Sequence, residues 1–440
     1  MGEREIIIDF QDIDLRGGDS QGGDLREVDI EVISPYVPAD KLDDSEIVDS
    51  LTLPFEPGKG TLYIINDLDR PTPTVRLLAL LKKRYPKALS GDVLVATGAH
   101  RLDGTVENVG RRLLGRLYDS FAGRIFFHDS RNDPTVLAGR TPRGTEVEVS
   151  QRLFEYEKVV AIGSVEPHWF AGYTGGRKSL VPGIASFETI RQNHSLALAD
   201  GVGPLMTSGN PLYEDLEDAA ALVVSGLKKE RANSTIVAVN TISKGNDIYG
   251  ISNGPLLANG PILEPRESLI SSLFDKVNEI YIKKVKSADI AIDIDIAIAI
   301  AEAPMDRDLY QAIKSFENVR GVIKRGGSYI LVATCTDGIG PPHFAETMAL
   351  SANRSDLEKR LSGEYRLGDH KFKNPLDFIK EGGTISVVSE ELTKIGETGD
   401  VGFARVFDNL DEALKTEMRR HKDGDVKVLI VKDAVNLVVM

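Results

Sequence analysis

An alternation that begins at Thr61 constrains the fold more than any other feature of the chain. Short apolar runs at 62–65, 92–96, 124–127, 158–165 and 234–239 are separated by polar loops and by amphipathic stretches at 74–85 and 105–120. Apolar runs of that length read as buried strands, and the stretches between them read as helices. The pattern predicts an α/β fold, a mainly parallel sheet with helices on both faces. A second α/β unit is expected from Pro265, with helices over 267–280 and 409–421 and strands over 288–301, 328–333, 384–388 and 426–431. The expectation is therefore two α/β domains, 1–264 and 265–440, with an active-site cleft between them. The first 60 residues, with short strands at 6–8 and 28–33, are expected to wrap the edge of the first domain.

Charge and composition exclude several classes. The net charge of −14 argues against a nucleic-acid partner, because a phosphate backbone needs a basic surface. The longest apolar stretch, 290–303, is interrupted by Asp293 and Asp295, so no membrane span is expected. The first residues carry no signal-peptide pattern. Cys335 is the single cysteine, which excludes an intramolecular disulfide and a Cys-x-x-Cys metal site and suits a cytoplasmic protein. A metal would have to be held by histidine, carboxylate or the atoms of a cofactor. Cys335, His128, His343 and His421 are expected to be structural.

Residues with chemistry concentrate in loops that follow strands. Asp67 and Arg70 follow the first strand, His100 and Arg101 the second. His168 opens the stretch 166–183, which also holds Gly175, Gly176 and Lys178; His194 follows on an expected helix. In an open parallel sheet the carboxyl ends of the strands share one edge, where ligands bind. A glycine pair lets backbone approach a ligand closely. Lysine offers a cation or, with a lowered pKa, a nucleophile, and histidine offers a base or a metal ligand.

Five stretches taken together resemble the lactate racemase family, whose members use a nickel-pincer nucleotide. They are Asp67-Leu-Asp-Arg-Pro-Thr-Pro73, Thr97-Gly-Ala-His-Arg101, the run from Pro167 to Lys178 with Pro182-Gly183, Asn193-His194, and Tyr310-Gln-Ala-Ile-Lys314. The resemblance implies a racemase or epimerase that inverts C2 of a 2-hydroxy acid. It implies a cofactor that is a pyridinium mononucleotide with two sulfur-bearing arms holding nickel in a square plane. His194 matches the histidine that completes the plane, in keeping with nickel's taste for sulfur and imidazole. Lys178 matches a lysine that some members link to the cofactor. Asp67, Arg70 and Thr72 match residues near the nucleotide, and Arg70 also suits a substrate carboxylate. His100 and His168 match the two catalytic bases. The implied chemistry moves hydride to and from the cofactor while one histidine takes the hydroxyl proton and the other returns it. Tyr310, Gln311 and Lys314 match substrate-binding residues of the second domain. Proteins that make the cofactor are the implied loading partners.

Two departures bear on the substrate. Before Tyr310 the family often has a glycine pair, where this chain has Ala301-Glu-Ala-Pro-Met305. Lactate-specific members place a tryptophan over the pocket from the second domain, whereas Trp169 lies in the first. The comparable stretch, 367–372, offers His370 and Lys371 and implies a more polar wall, suited to malate or a sugar acid. The competing functions are a nicotinamide or metal-assisted redox enzyme and a non-catalytic carrier of the cofactor. No Gly-x-Gly-x-x-Gly follows an early strand, which weighs against a dinucleotide. A carrier has no use for both His100 and His168.

Overall fold

The structure, a computed structural model, describes residues 28–100, 104–256, 271–284, 293–421 and 425–440. The chain divides into two units. One comprises 36–282 together with 365–370; the other comprises the N-terminal segment up to Pro35 with 283–364 and 371–440. The expected boundary at 264/265 and the expected strand at 6–8 lie outside the described residues.

Two segments depart from a single cut of the chain. The strand Val28–Ile33 does not wrap the first domain. It pairs in parallel with Val426–Val431, in register from Val28 opposite Val426 to Ile33 opposite Val431. The strand is half exposed and alternates with Asp29 and Glu31, as an edge strand with one pairing side does. Residues 365–370 return to the first unit, where Leu367 joins the core that includes Trp169 and Phe170.

The unit that begins at Tyr36 is built on a six-stranded sheet in the order Asp247–Pro255, Thr235–Lys244, Lys158–Ser164, Thr61–Asn66, Asp92–Ala96, Ile125–Phe127. Only the first pairing is antiparallel. Successive side chains divide between the two faces. Leu62, Ile64, Leu94, Val159, Ala161 and Ile236 enter one core. Tyr63, Ile65, Val93, Val95, Val160 and Ile162 enter the other. Both faces are covered, so the strands read as unbroken apolar runs rather than as an alternation. Each fully buried Leu, Ile or Val side chain stabilises by about 1.5–3 kcal/mol.

The helix Thr74–Arg84 packs Leu77, Leu78 and Leu81 on the second face. The expected helix over 105–120 is shorter: Val106–Leu114 ends where Gly115 takes φ +47, and a turn at Tyr118–Phe121 follows. The first face is covered by Pro211–Glu230, a helix the strand alternation does not reveal. Its start is nonetheless written locally. Asn210 accepts from the Leu212 and Tyr213 amides and Pro211 takes the first turn. Leu212, Leu216, Ala219, Val223 and Leu227 form its buried stripe.

The other unit carries a seven-stranded sheet in the order Val28–Ile33, Val426–Val431, Ile294–Ile300, Ile323–Val332, Thr384–Val388, Ala404–Phe407, Gly399–Val401. Only the last pairing is antiparallel. His421 is buried there with Nε2 3.2 Å from Ser328 Oγ, and Cys335 is buried too. Among the described residues no helix is long and apolar enough to cross a membrane.

Candidate active site

The chain runs outward from Thr61–Asn66 through Asp92–Ala96 to Ile125–Phe127, then returns to place Lys158–Ser164 on the opposite side of Thr61–Asn66. The loops after Asn66 and after Ser164 therefore leave in opposite directions, which opens a crevice at their carboxyl ends. Thr72 bridges it. Its Oγ1 accepts from Asn66 Nδ2 (2.8 Å) and lies 2.8 Å from Ser164 Oγ.

His100 is held beside this crevice by carboxylates. Its Nδ1 lies 2.7 Å from Asp67 Oδ2 and 3.2 Å from Asp69 Oδ2. Asp67 Oδ1 in turn accepts from the Asp69 amide, and the Arg70 amide bonds the Asp67 carbonyl. These contacts turn the Asp67–Arg70 loop back on itself. Burial works to raise the Asp67 pKa, but the facing His100 and Arg70 charges and the bond from His100 outweigh it and hold the carboxyl below the usual range. Among the described residues, Asp67, Asp69 and His100 are the one group of three such side chains close enough to share a cation. Arg101 lies outside the described residues.

A depressed folded pKa contributes stability above the unfolded value, about 3.9 for Asp, which is lost as pH falls through the folded value. Asp67→Asn is therefore expected to lower the urea midpoint at pH 7, with the difference from the parent shrinking steadily below about pH 4. An unchanged difference across that range would show that the charge of Asp67 is not what stabilises.

The stretch that begins at Glu166 folds into a buried hairpin. Pro167–His168 pairs antiparallel with Gly172–Tyr173. Thr174 Oγ1 closes it by donating to Glu166 Oε2 (2.6 Å) while accepting from the Glu166 amide (2.8 Å). The turn that follows needs glycine. At Gly175, φ is +84 and a Cβ would meet Val165 Cγ2 at 2.8 Å. The Gly176 amide donates to Asn240 Oδ1 (2.8 Å). Arg177 is buried, pairs with Glu217 at 3.1 Å and lies over Tyr213, which anchors the turn to the long helix.

Phe170 is the hub of the site. Its ring centre lies 4.5 Å from that of His168, 5.1 Å from that of His194 and 5.2 Å from that of His370. Lys178 Nζ lies 5.8 Å from the same ring. His370 stacks on Trp169 at 5.1 Å and sits edge-on to His194 at 6.1 Å. Tyr365 Oη lies 2.5 Å from His370 Nδ1. His194 is in the last turn of Phe187–Ser195, a helix capped by Ser186 and fixed through Asn193 Nδ2 to Asp215 (2.8 Å). His168 Nδ1 accepts from the Ala171 amide (3.2 Å), so the neutral ring carries its proton on Nε2.

Tyr310, Gln311 and Lys314 belong to the other unit. Asp308 caps their short turn by accepting from the Gln311 amide (2.7 Å), and Lys314 Nζ bonds Gln311 Oε1. Gln311 and Lys314 thus share a face, as their spacing predicts. Lys371 is buried beside them. It donates to the Tyr310 carbonyl (2.7 Å) and lies 3.9 Å from that ring. Burial, then the Lys314 charge, hold its ammonium well below the usual range.

Two sequence models match the chain. The lactate racemase N-terminal domain covers residues 42–202 and the lactate racemase C-terminal domain residues 285–439, together more than two thirds of the length. The chain belongs to the lactate racemase family. A lactate racemase of Thermoanaerobacterium thermosaccharolyticum is 28% identical over 395 residues, 87% of this chain and 85% of that protein. One from Lactiplantibacillus plantarum is 28% identical over 300 residues, 66% of this chain and 64% of that protein. The structure of the T. thermosaccharolyticum lactate racemase apoprotein matches with a TM-score of 0.73 at 26% identity, covering 94% of this chain and 95% of that one. A Thermotoga maritima protein shares the fold at a TM-score of 0.62 and 15% identity, covering 92% of this chain and all of that one.

As a member of the lactate racemase family the chain is an isomerase, a racemase. Asp67, Arg70, Thr72, His100, His168, Lys178 and His194 all fall in one unit, and Tyr310, Gln311 and Lys314 in the other. The motifs did not point to Asp69, Ser164, Asn240, Tyr365 or the hub role of Phe170. Asp69 and Phe170 lie inside the family-like runs, so their presence was visible but their contacts were not. Ser164, Asn240 and Tyr365 carried no local signal.

Proposed function

We propose that this chain inverts the C2 centre of a 2-hydroxy acid, with His100 and His168 as the two bases and a nickel-pincer nucleotide as cofactor. The supporting observation is that two imidazoles in one unit are each held at Nδ1, His100 by carboxylate and His168 by the Ala171 amide. When bound, the cofactor supplies the hydride acceptor and donor, because the C2–H of such an acid is far too weakly acidic for imidazole.

The protein's part is to move the hydroxyl proton. His100 keeps its own proton on Nδ1 toward Asp67, so Nε2 is the nitrogen that accepts. Inversion needs a proton donor for the other face of the planar keto acid, the role of His168. As an imidazolium, His168 cannot accept from the Ala171 amide. Each turnover therefore breaks and remakes that hydrogen bond, a net term of about 1 kcal/mol.

The residues present suit the cofactor. His194 would hold the nickel through its imidazole, a donor type that suits nickel. Among the described residues, the buried atoms Asn240 Nδ2 and Glu166 Oε1, beside the Gly175–Gly176 turn, have no hydrogen-bond partner, so polar groups are left there for a polar ligand to satisfy. Lys178 is the candidate for a covalent link or a charge partner, and Asp67, Arg70 and Thr72 for contacts to the nucleotide. The substrate roles of Tyr310, Gln311 and Lys314 rest on the family motif. Loading requires the proteins that make the cofactor.

The relatives are lactate racemases, so lactate is the reference substrate. The imidazole of His370, bonded to Tyr365 and stacked on Trp169, supports a more polar acid such as malate or a sugar acid. The test is a chiral assay of cofactor-loaded protein on pure enantiomers of lactate, malate and a sugar acid. The expected result is racemisation or epimerisation, faster for one of the polar acids than for lactate. His370→Trp is expected to move the kcat/KM ratio toward lactate by roughly ten-fold. Inversion of none of the acids would end this reading and favour a carrier.

A further inference from the structure

Asp69 has no part in the proposed proton transfer, yet it is buried and its Oδ2 lies 3.2 Å from the His100 Nδ1 that Asp67 already holds at 2.7 Å. One N–H facing two carboxylates is more than orientation requires. We propose that Asp69 is a second positioning residue for His100, forming with Asp67 a paired carboxylate clamp that fixes the tautomer with the proton on Nδ1 and leaves Nε2 to accept. The inference rests on His100 being a base of the proposed reaction.

Three contacts make the clamp. Asp67 Oδ1 accepts from the Asp69 amide at 3.2 Å, so the two residues are locked to each other through the backbone. Asp67 Oδ2 and Asp69 Oδ2 then converge on one nitrogen. Among the described residues His100 Nε2 makes no hydrogen bond, and the side chain is one-third exposed. The ring is fixed at one end and available at the other. Two acceptors make the arrangement redundant: when a ligand draws one carboxylate away, the other still dictates the tautomer. The clamp thus allows Asp67 to contact a nucleotide without releasing His100. It also sets the bases apart, because His168 is held at Nδ1 by a donor and His100 by acceptors. At rest the neutral His100 ring presents a lone pair at Nε2 and the neutral His168 ring presents N–H there; His168 gives up a proton only after it has become the imidazolium.

Redundancy gives a direct test. Histidine tautomers are read in long-range proton–nitrogen NMR spectra of 15N-histidine-labelled full-length protein at pH 8, with His100→Gln assigning the signal. The parent is expected to show His100 with its proton on Nδ1. Asp67→Asn is expected to keep that tautomer, because the N–H can turn to Asp69 Oδ2, 3.2 Å from the same nitrogen. Asp67→Asn/Asp69→Asn is expected to shift it toward Nε2–H, since both amides can turn their NH2 groups to Nδ1. In cofactor-loaded protein the double variant is expected to lose a further ~100-fold in kcat relative to Asp67→Asn, with KM little changed.

A switched tautomer in Asp67→Asn alone would overturn the proposal, since Asp69 would then contribute nothing. So would a parent with its proton on Nε2, or a double variant with the parental tautomer. Equimolar Mn2+ that broadened the His100 signals alone would also overturn it, by making the three side chains a cation site. The NMR readings do not depend on turnover, so the clamp can stand or fall separately from the racemase reading.

Discussion

Alanine at His100, or at His168, is expected to reduce inversion of the best 2-hydroxy acid by about 10³-fold or more while bound nickel is unchanged. The size follows from the role proposed for each ring. Removing the His100 imidazole leaves the hydroxyl proton with no acceptor but water, and strands Asp67 and Asp69 opposite a void. Removing His168 leaves the other face without a proton donor. Neither ring is the proposed nickel ligand, so metal content separates a lost base from a lost cofactor. A single-base enzyme would lose activity in one variant only, whereas with two bases both variants lose it. Full activity in either variant, assayed by chiral chromatography with metal analysis on the same sample, would remove the two-base mechanism.

His194→Ala is expected to lose the nickel, with turnover falling below detection, while the fold persists. Alanine is the best helix former, and position 194 lies in the last turn of Phe187–Ser195, so the helix itself is not weakened. The helix is held elsewhere, by the Ser186 cap and by the bond from Asn193 to Asp215. Loss of metal with an unchanged melting temperature would thus report on the ligand and not on folding. Metal analysis after loading, with absorbance to follow the nucleotide, distinguishes two outcomes of interest. A nucleotide retained without nickel would point to Lys178 as its anchor. Nickel retained in full would remove His194 from the coordination sphere.

Much of the site was legible because strand ends and motif residues are local properties. Asp67, His100 and His168 follow apolar runs that are buried on both faces, and such runs end where loops begin. His194 was placed on a helix, and a helix runs from Phe187 to Ser195. The grouping of chain segments was less legible. Val28–Ile33 carries the same kind of pattern whether it edges one sheet or the other, and only pairing with Val426–Val431 decides between them. Residues 365–370 carry no compositional break that would send them back to the first unit, yet Leu367 and His370 pack there.

From the amino acids alone came the strand runs, the α/β class and the family motifs, because periods of two and 3.6 residues and a contiguous motif are written within a few turns of chain. Tertiary structure alone decided which strands are neighbours, and hence that the crevice opens between Thr61–Asn66 and Lys158–Ser164. It also decided that Asp69 meets His100 and that Phe170 gathers three imidazoles. Those contacts depend on the lateral order of strands and on the packing of side chains far apart in the chain, which no local pattern encodes.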